Sequence, residues 1–176
     1  MLSVIVLCGF AEPVRPDAVV RTLVPLVAAS VRGLVRDVIL AGPQDAELGV
    51  IAEHAGCAAF ESATEAAALR DAIAAARSAD LMILIAGHVP QAGFFEEIED
   101  LLNMRGSADQ SGRVLKTAPV TFYERICPAL APVVGIIASQ SRCAKIKIES
   151  FQQLRRAVDA RKSLRARLQS IMGRPN

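Results

Sequence analysis

Aromatic side chains are nearly missing from this 176-residue chain: they make up 4% of it, against 52% apolar residues. Its core must therefore be aliphatic. That balance suits layered α/β packing, in which parallel strands are covered on both faces. No C-x-x-C pair occurs. The four cysteines (Cys8, Cys57, Cys127 and Cys143) are widely spaced, and three sit in apolar runs. Buried free thiols are expected, rather than a disulfide frame or a zinc site. No apolar run is long enough to span a bilayer, and the longest, Cys127 to Ala138, contains two prolines. The apolar opening at Leu2 to Cys8 lacks a basic flank and a cleavage-like site, so no targeting segment is read and a cytoplasmic protein is expected. Repeats and low-complexity tracts are absent. The length points to a single domain spanning residues 1–176.

The net charge of +2 conceals an asymmetry. Residues 142–176 carry ten Lys/Arg against two acids, Glu149 and Asp159, whereas the rest carries ten against sixteen. This basic C-terminal stretch could meet an anionic membrane surface or a protein partner. A solvated helix face is the plainer reading. No nucleic-acid partner is expected, and the oligomeric state is left open.

Strands and helices alternate along the first 104 residues. Leu2–Leu7 reads as a central strand, followed by a loop over residues 8–13. Pro16 and Asp17 suit a first helical turn, and Pro25 should kink or divide the helix they open. Val38–Ala41 is a second strand, and Asp45 is placed to cap the helix over 46–55. Cys57–Phe60 is a third strand. Ser62 and Glu65 have capping-box spacing ahead of an Ala-rich helix running to about Arg77. Leu81–Ala86 is a fourth strand, and Pro90 is expected to start the next helix, with Phe94 and Phe95 as packing residues. Residues 105–112 read as a polar loop. Strands are expected at 114–120 and 133–139, with a helix over 121–130 broken by Pro128. Residues 149–176 read as a region of basic C-terminal helices, with the helical pattern over 149–171 and a break near 161–163. Such alternation predicts βαβ units: an α/β three-layer sandwich with a mainly parallel central sheet.

Crossings from strand end to loop hold ligands in such sheets. The crossing after the fourth strand, Ala86-Gly87-His88, carries no acid. His88 could bind a metal or a phosphate, although a loop histidine with a satisfied hydrogen bond is the simpler account. Gly9 and Gly42 end the first two strands and could admit a ligand to the backbone, or serve only as turns. Glu12 is either a site acid or a solvated loop carboxylate. Asp45 is either a helix cap or a base-binding acid. Arg70 is either a phosphate partner or half of a surface ion pair.

Ser3-Val-Ile-Val6 resembles the first strand of family 2 glycosyltransferases, which have the GT-A fold. Gly33 to Leu40 looks like their second strand with its lead-in, and Ile51 to Cys57 like their next helix with its Gly stop. Asp80 to Ala86 and Val89 to Phe94 are similar to the segment around their metal motif. The resemblance covers residues 1–104, which it implies are a nucleotide-binding half. It implies an acceptor-side half over 105–148 and a nucleotide-sugar as ligand. Three departures stand against activity. An acid after the second strand is replaced by Gly42, with only Asp45 at hand. The D-x-D pair falls on Ala86, Gly87 and His88. Of the acids between 110 and 158, Glu124 and Glu149, neither lies in a general-base motif. Magnesium and manganese want oxygen ligands, so neither is expected, and no other cofactor is implied.

Three functions follow from these residues. The first is a glycosyltransferase-like protein, degenerate or weakly active, that keeps some nucleotide-sugar affinity. The second is a nucleotidyltransferase, opening with Val4-Ile-Val-Leu-Cys-Gly9. The Phe10-Ala-Glu-Pro13 that follows is not the Gly-rich, basic loop that a triphosphate needs. The third is a non-enzymatic scaffold docking through its basic C-terminus.

Overall fold

The computed structural model describes residues 1–10, 15–44, 46–104, 112–127, 131–158 and 162–171. Strand β1 (Leu2–Leu7) is wholly buried, as its unbroken apolar run requires for a strand covered on both faces. It lies between β2 (Val35–Gly42) and β4 (Asp80–Ile85), parallel to both, so that Val4 faces Val38 on one side and Met82 on the other. Strand β3 (Ala58–Glu61) extends the parallel sheet beyond β2. On the other side β7 (Val133–Ser139) pairs antiparallel with β4. Strand β6 (Arg113–Lys116) pairs with β7, and the two-residue β8 (Lys162–Ser163) closes that edge. The order is β3-β2-β1-β4-β7-β6-β8, with β7 alone running against the others. A separate two-stranded ribbon joins β5 (His88–Pro90) to β9 (Leu168–Ser170).

The period of two in each strand sends alternate side chains to opposite faces and builds two cores. Val4, Val6, Leu40, Met82 and Leu84 pack under α1 (Pro16–Val31), α2 (Ala46–Ala55) and α4 (Phe94–Met104). Ile5, Leu7, Ile39, Ile83 and Ile136 pack under α3 (Glu65–Ala75), α6 (Gln140–Ala144) and α7 (Phe151–Ala157). The result is the expected three-layer α/β/α sandwich. Among the described residues no helix is long and apolar enough to cross a membrane.

Some local expectations are revised. Pro25 lies inside α1 without dividing it. The chain stays extended through Thr64, so the cap of α3 is the Thr64 hydroxyl, which accepts from the Ala67 N–H, and the Ser62–Glu65 box does not form. Glu65 instead accepts from the Phe151 N–H and ties α3 to α7. Pro90 closes β5, and α4 begins only at Phe94. The helix near 121–130 is the short α5 (Phe122–Ile126), closed by a capping box between Thr121 and Glu124. The largest correction concerns the C-terminus. Among the described residues between 149 and 171, only 151–157 are helical, and 162–163 and 168–170 are strands. Tertiary pairing decides this. Leu164 and Leu168 are buried in the core, and β6 and β5 offer open edges. The Glu97 carboxylate also accepts from the N–H groups of Arg165 (2.7 Å) and Ala166 (2.6 Å). The loop expected over 105–112 lies outside the described residues, apart from Gly112.

Candidate functional site

The parallel strands β1, β2, β3 and β4 end along one edge. The ladder continues past them: the Cys8 N–H donates to the Ala41 carbonyl, the Ala86 N–H to that of Leu7, and the Ser62 N–H to that of Gly42. The segments after these strands are therefore neighbours. Chain order runs outward to β2 and β3 on one side of β1 and to β4 on the other, so β1 and β4 flank the switch point where open α/β sheets form their ligand crevice. Gly9 and Gly87 stand at its two lips. A shallow cleft lined by Met1, Arg32, Leu34 and Glu99 lies instead at the opposite edge, where β1 and β2 begin.

The turn after β4 is closed by the protein itself. Gly87 is buried, with φ of 85° in the left-handed region. Its N–H donates to the Thr22 Oγ1 of α1 (2.9 Å), and its carbonyl accepts from the Ile171 N–H (2.9 Å). His88 is only 8% exposed and pairs with Ser170 across the ribbon. Its Nδ1 lies 3.0 Å from the Ile85 carbonyl, which can only accept, so this nitrogen carries the proton. Burial pushes the His88 pKa below its ordinary value, and hydrogen bonds to the Ile85 and Ala86 backbone offset part of that. The ring is thus neutral, desolvated and already oriented.

Gly42 has a packing reason for being glycine. A Cβ there would sit 2.6 Å from Leu48 Cδ2 and 3.1 Å from the Cys8 carbonyl oxygen. Arg70 is exposed on α3, beneath the opposite sheet face from the α1 that holds Gly87. Among the described residues no hydrogen bond or ion pair joins Arg70 to Gly42 or His88. The structure thus brings Gly9, Gly42, Gly87 and His88 to one edge and leaves Arg70 in another layer. Glu12 and Asp45 lie outside the described residues.

A GT-A fold implies a divalent ion at this turn, and the donor set does not fit one. Ala86, Gly87 and His88 offer no carboxylate, and one imidazole nitrogen is already committed. Among the described residues no three His, Cys, Asp or Glu side chains cluster as metal ligands.

Two contributors escaped the sequence reading. Thr22 lies on the apolar face of α1, where its hydroxyl donates to the Ala18 carbonyl and accepts from Gly87. A lone threonine among Val19, Leu23 and Leu26 was its signal, since a buried hydroxyl needs a partner. Strand β9 was the other. Leu164, Ala166 and Leu168 recur at the strand period of two, but Leu164, Leu168 and Ile171 also satisfy a helix.

The fold aligns with those of several solved structures. The fold is that of the nucleotide-diphospho-sugar transferases. Glucosyl-3-phosphoglycerate synthase from Mycobacterium tuberculosis, in complex with phosphoglyceric acid, aligns with a TM-score of 0.65 and 14% identity over 99% of this chain and 73% of that one. HddC from Yersinia pseudotuberculosis, complexed with GMP-PN, gives 0.60 and 12% over 97% and 94%. The 4-diphosphocytidyl-2C-methyl-D-erythritol synthase from Anaerococcus prevotii gives 0.59 and 11% over 93% and 88%. At such identities the likeness is one of fold alone. No protein-family profile and no curated protein sequence matches the chain.

Proposed function

We propose that this protein is a degenerate relative of the family 2 glycosyltransferases, working in the cytoplasm, that binds a nucleotide-sugar without metal-dependent transfer. In this reading residues 1–104 are the donor half and residues 105–148 the acceptor side. The carrying observation is the turn at Ala86–His88. Both backbone groups of Gly87 and the Nδ1 of His88 are engaged by the protein, and the turn brings no negative charge. A departing nucleoside diphosphate gains roughly one negative charge, and stabilising it takes several kcal/mol from a cation or aimed donors. Nothing at this turn supplies that. Solved structures of the same fold contain uridine-diphosphate and Mn2+ in the Mycobacterium tuberculosis synthase, and this supports a nucleotide-sugar as the ligand class.

The test is thermal denaturation with UDP-, GDP- and CDP-sugars, each with and without Mn2+, alongside an assay of sugar release. The expected result is a higher melting temperature with at least one nucleotide-sugar, independent of Mn2+, and no turnover. Ligand at about 100 times Kd adds about 2.7 kcal/mol of stability. Turnover that requires Mn2+ would overturn the reading. A second reading, nucleotidyl transfer, draws on the likeness of fold to HddC complexed with GMP-PN. A response to nucleoside triphosphates alone would select it. No response to any nucleotide, with salt-sensitive binding to anionic vesicles, would select the scaffold reading.

A further inference from the structure

Among the described residues, three buried side-chain atoms have no hydrogen-bond partner: the hydroxyls of Ser78 and Ser139, and the Nη1 of Arg167. The two hydroxyls are neutral and lie where β4 begins, at the edge opposite the candidate crevice. Arg167 is a different case. A guanidinium does not shed its proton in a protein, so this nitrogen is a charged donor kept from water. Arg167 is half-buried, and among the described residues no hydrogen bond or ion pair reaches its side chain. The carboxylate beside it is spent elsewhere: the two oxygens of Glu97 accept from the backbone N–H groups of Arg165 and Ala166. A buried charge without a counter-charge is costly, and its presence calls for an explanation in what the site holds.

The backbone fixes where this group sits. The Arg167 carbonyl accepts from the Gln91 N–H (3.1 Å), just past β5, and the Leu168 carbonyl accepts from the Ala118 N–H (2.8 Å), just past β6. Strand β6 runs in the same direction as β4, so both segments leave the sheet at the edge that carries Gly87 and His88. Strand β6 stands two places beyond β4 in the sheet, on the side away from β1, which sets Arg167 apart from the β1–β4 switch point. We propose that Arg167 anchors an anion site that takes the phosphate group of a small phosphorylated ligand, distinct from any nucleotide at the switch point. A guanidinium offers only donors, and its planar fork matches the oxygens of a phosphate. Arg161, Lys162, Arg165 and Arg167 fall within seven residues that contain no acid, and such an excess of positive charge favours a dianion over a single carboxylate.

Thermal denaturation in inorganic phosphate tests this. Ionic strength is held constant with chloride, and phosphate is kept at about 0.1–10 mM, where its general exclusion from protein surfaces has little effect. Wild type should melt at a higher temperature as phosphate is added, and the rise should follow the filling of one site. Arg167→Met keeps most of the stem and removes the charge. Without phosphate this variant should melt no lower than wild type, because the group removed is an unpaired buried charge. Its apparent affinity for phosphate should be weaker by about 10-fold or more. Acetate should raise the melting temperature of wild type less than phosphate does at the same concentration. No phosphate effect on wild type, an equal effect on Arg167→Met, a variant that melts well below wild type in phosphate-free buffer, or an acetate effect as large as that of phosphate would each overturn the proposal. The assay contains no nucleotide, so its failure is distinguishable from failure of the nucleotide-sugar reading.

Discussion

Restoring an acid to the turn after β4, as Gly87→Asp, should damage the fold and recover no metal site. Gly87 has φ of 85°, where an L side chain costs about 1–3 kcal/mol. The new carboxylate would enter a buried turn whose neighbouring donor, the Gly87 N–H, is already held by Thr22. An unpaired buried charge costs several kcal/mol more, or forces the group to take up a proton. The sum is about 3–6 kcal/mol, a large share of the 5–15 kcal/mol that holds a typical domain. For a chain of this size that lowers the melting temperature by about 6–24 °C. Gly87→Ala isolates the backbone part and should cost only about 1–3 kcal/mol. The gap between the two variants should depend on pH in a definite direction. Burial raises the folded-state pKa of the new carboxyl above its unfolded value of about 3.9, so its penalty is absent below that pH and grows as pH rises. Thermal denaturation of both variants between about pH 4 and pH 8, with and without Mn2+, reads all of this. Equal melting temperatures for the two at neutral pH, or stabilisation of the Asp variant by Mn2+, would refute the reasoning.

Gly42→Ala should lose about 1–3 kcal/mol in urea denaturation, because its Cβ would meet Leu48 and the Cys8 carbonyl; an unchanged midpoint would free Gly42 for a ligand role. His88 is held neutral by burial, with its folded pKa below the unfolded value of about 6.5, so its contribution is complete above that pH and is lost as pH falls toward the folded pKa. Stability should therefore decline on acidification, and His88→Gln should flatten the decline in a series of melts. Thiol labelling at pH 8 should modify the exposed Cys127 first. Burial pushes Cys8 up to about 12, and burial, partly opposed by Arg142, pushes Cys143 up to about 11, so both should react only on unfolding.

The first half of the fold was legible because its signals are local. Leu2–Leu7 reads as a buried strand and is one with those bounds, and in the second half the same holds of Val133–Ser139. Pro16 and Asp17 announced the start of α1. The missing acid at 86–88 was also plain, since an absent residue type needs no coordinates. What failed was assignment where two periods fit the same residues, as at 164–171, and where a cap had two hydroxyls to choose from, as at Ser62 and Thr64. Of the candidate residues, Gly9, Gly42, Gly87 and His88 follow strands that end along one edge. Gly42 proved to be a packing glycine, and Arg70 proved to sit in the other layer from His88.

The sequence alone determined the layered α/β class, the aliphatic core and a β4 turn without a carboxylate, because composition and periodicity act within a few residues of themselves. The tertiary structure decided that the turn is sealed. Gly87 is bound on one side by a threonine 65 positions earlier and on the other by Ile171, near the far end of the chain. It also decided that one side of α1 is left bare, since only the packed layers show which of two apolar faces the sheet has taken. Partners so distant in sequence leave no periodic trace; they exist only once the sheet has brought their elements together.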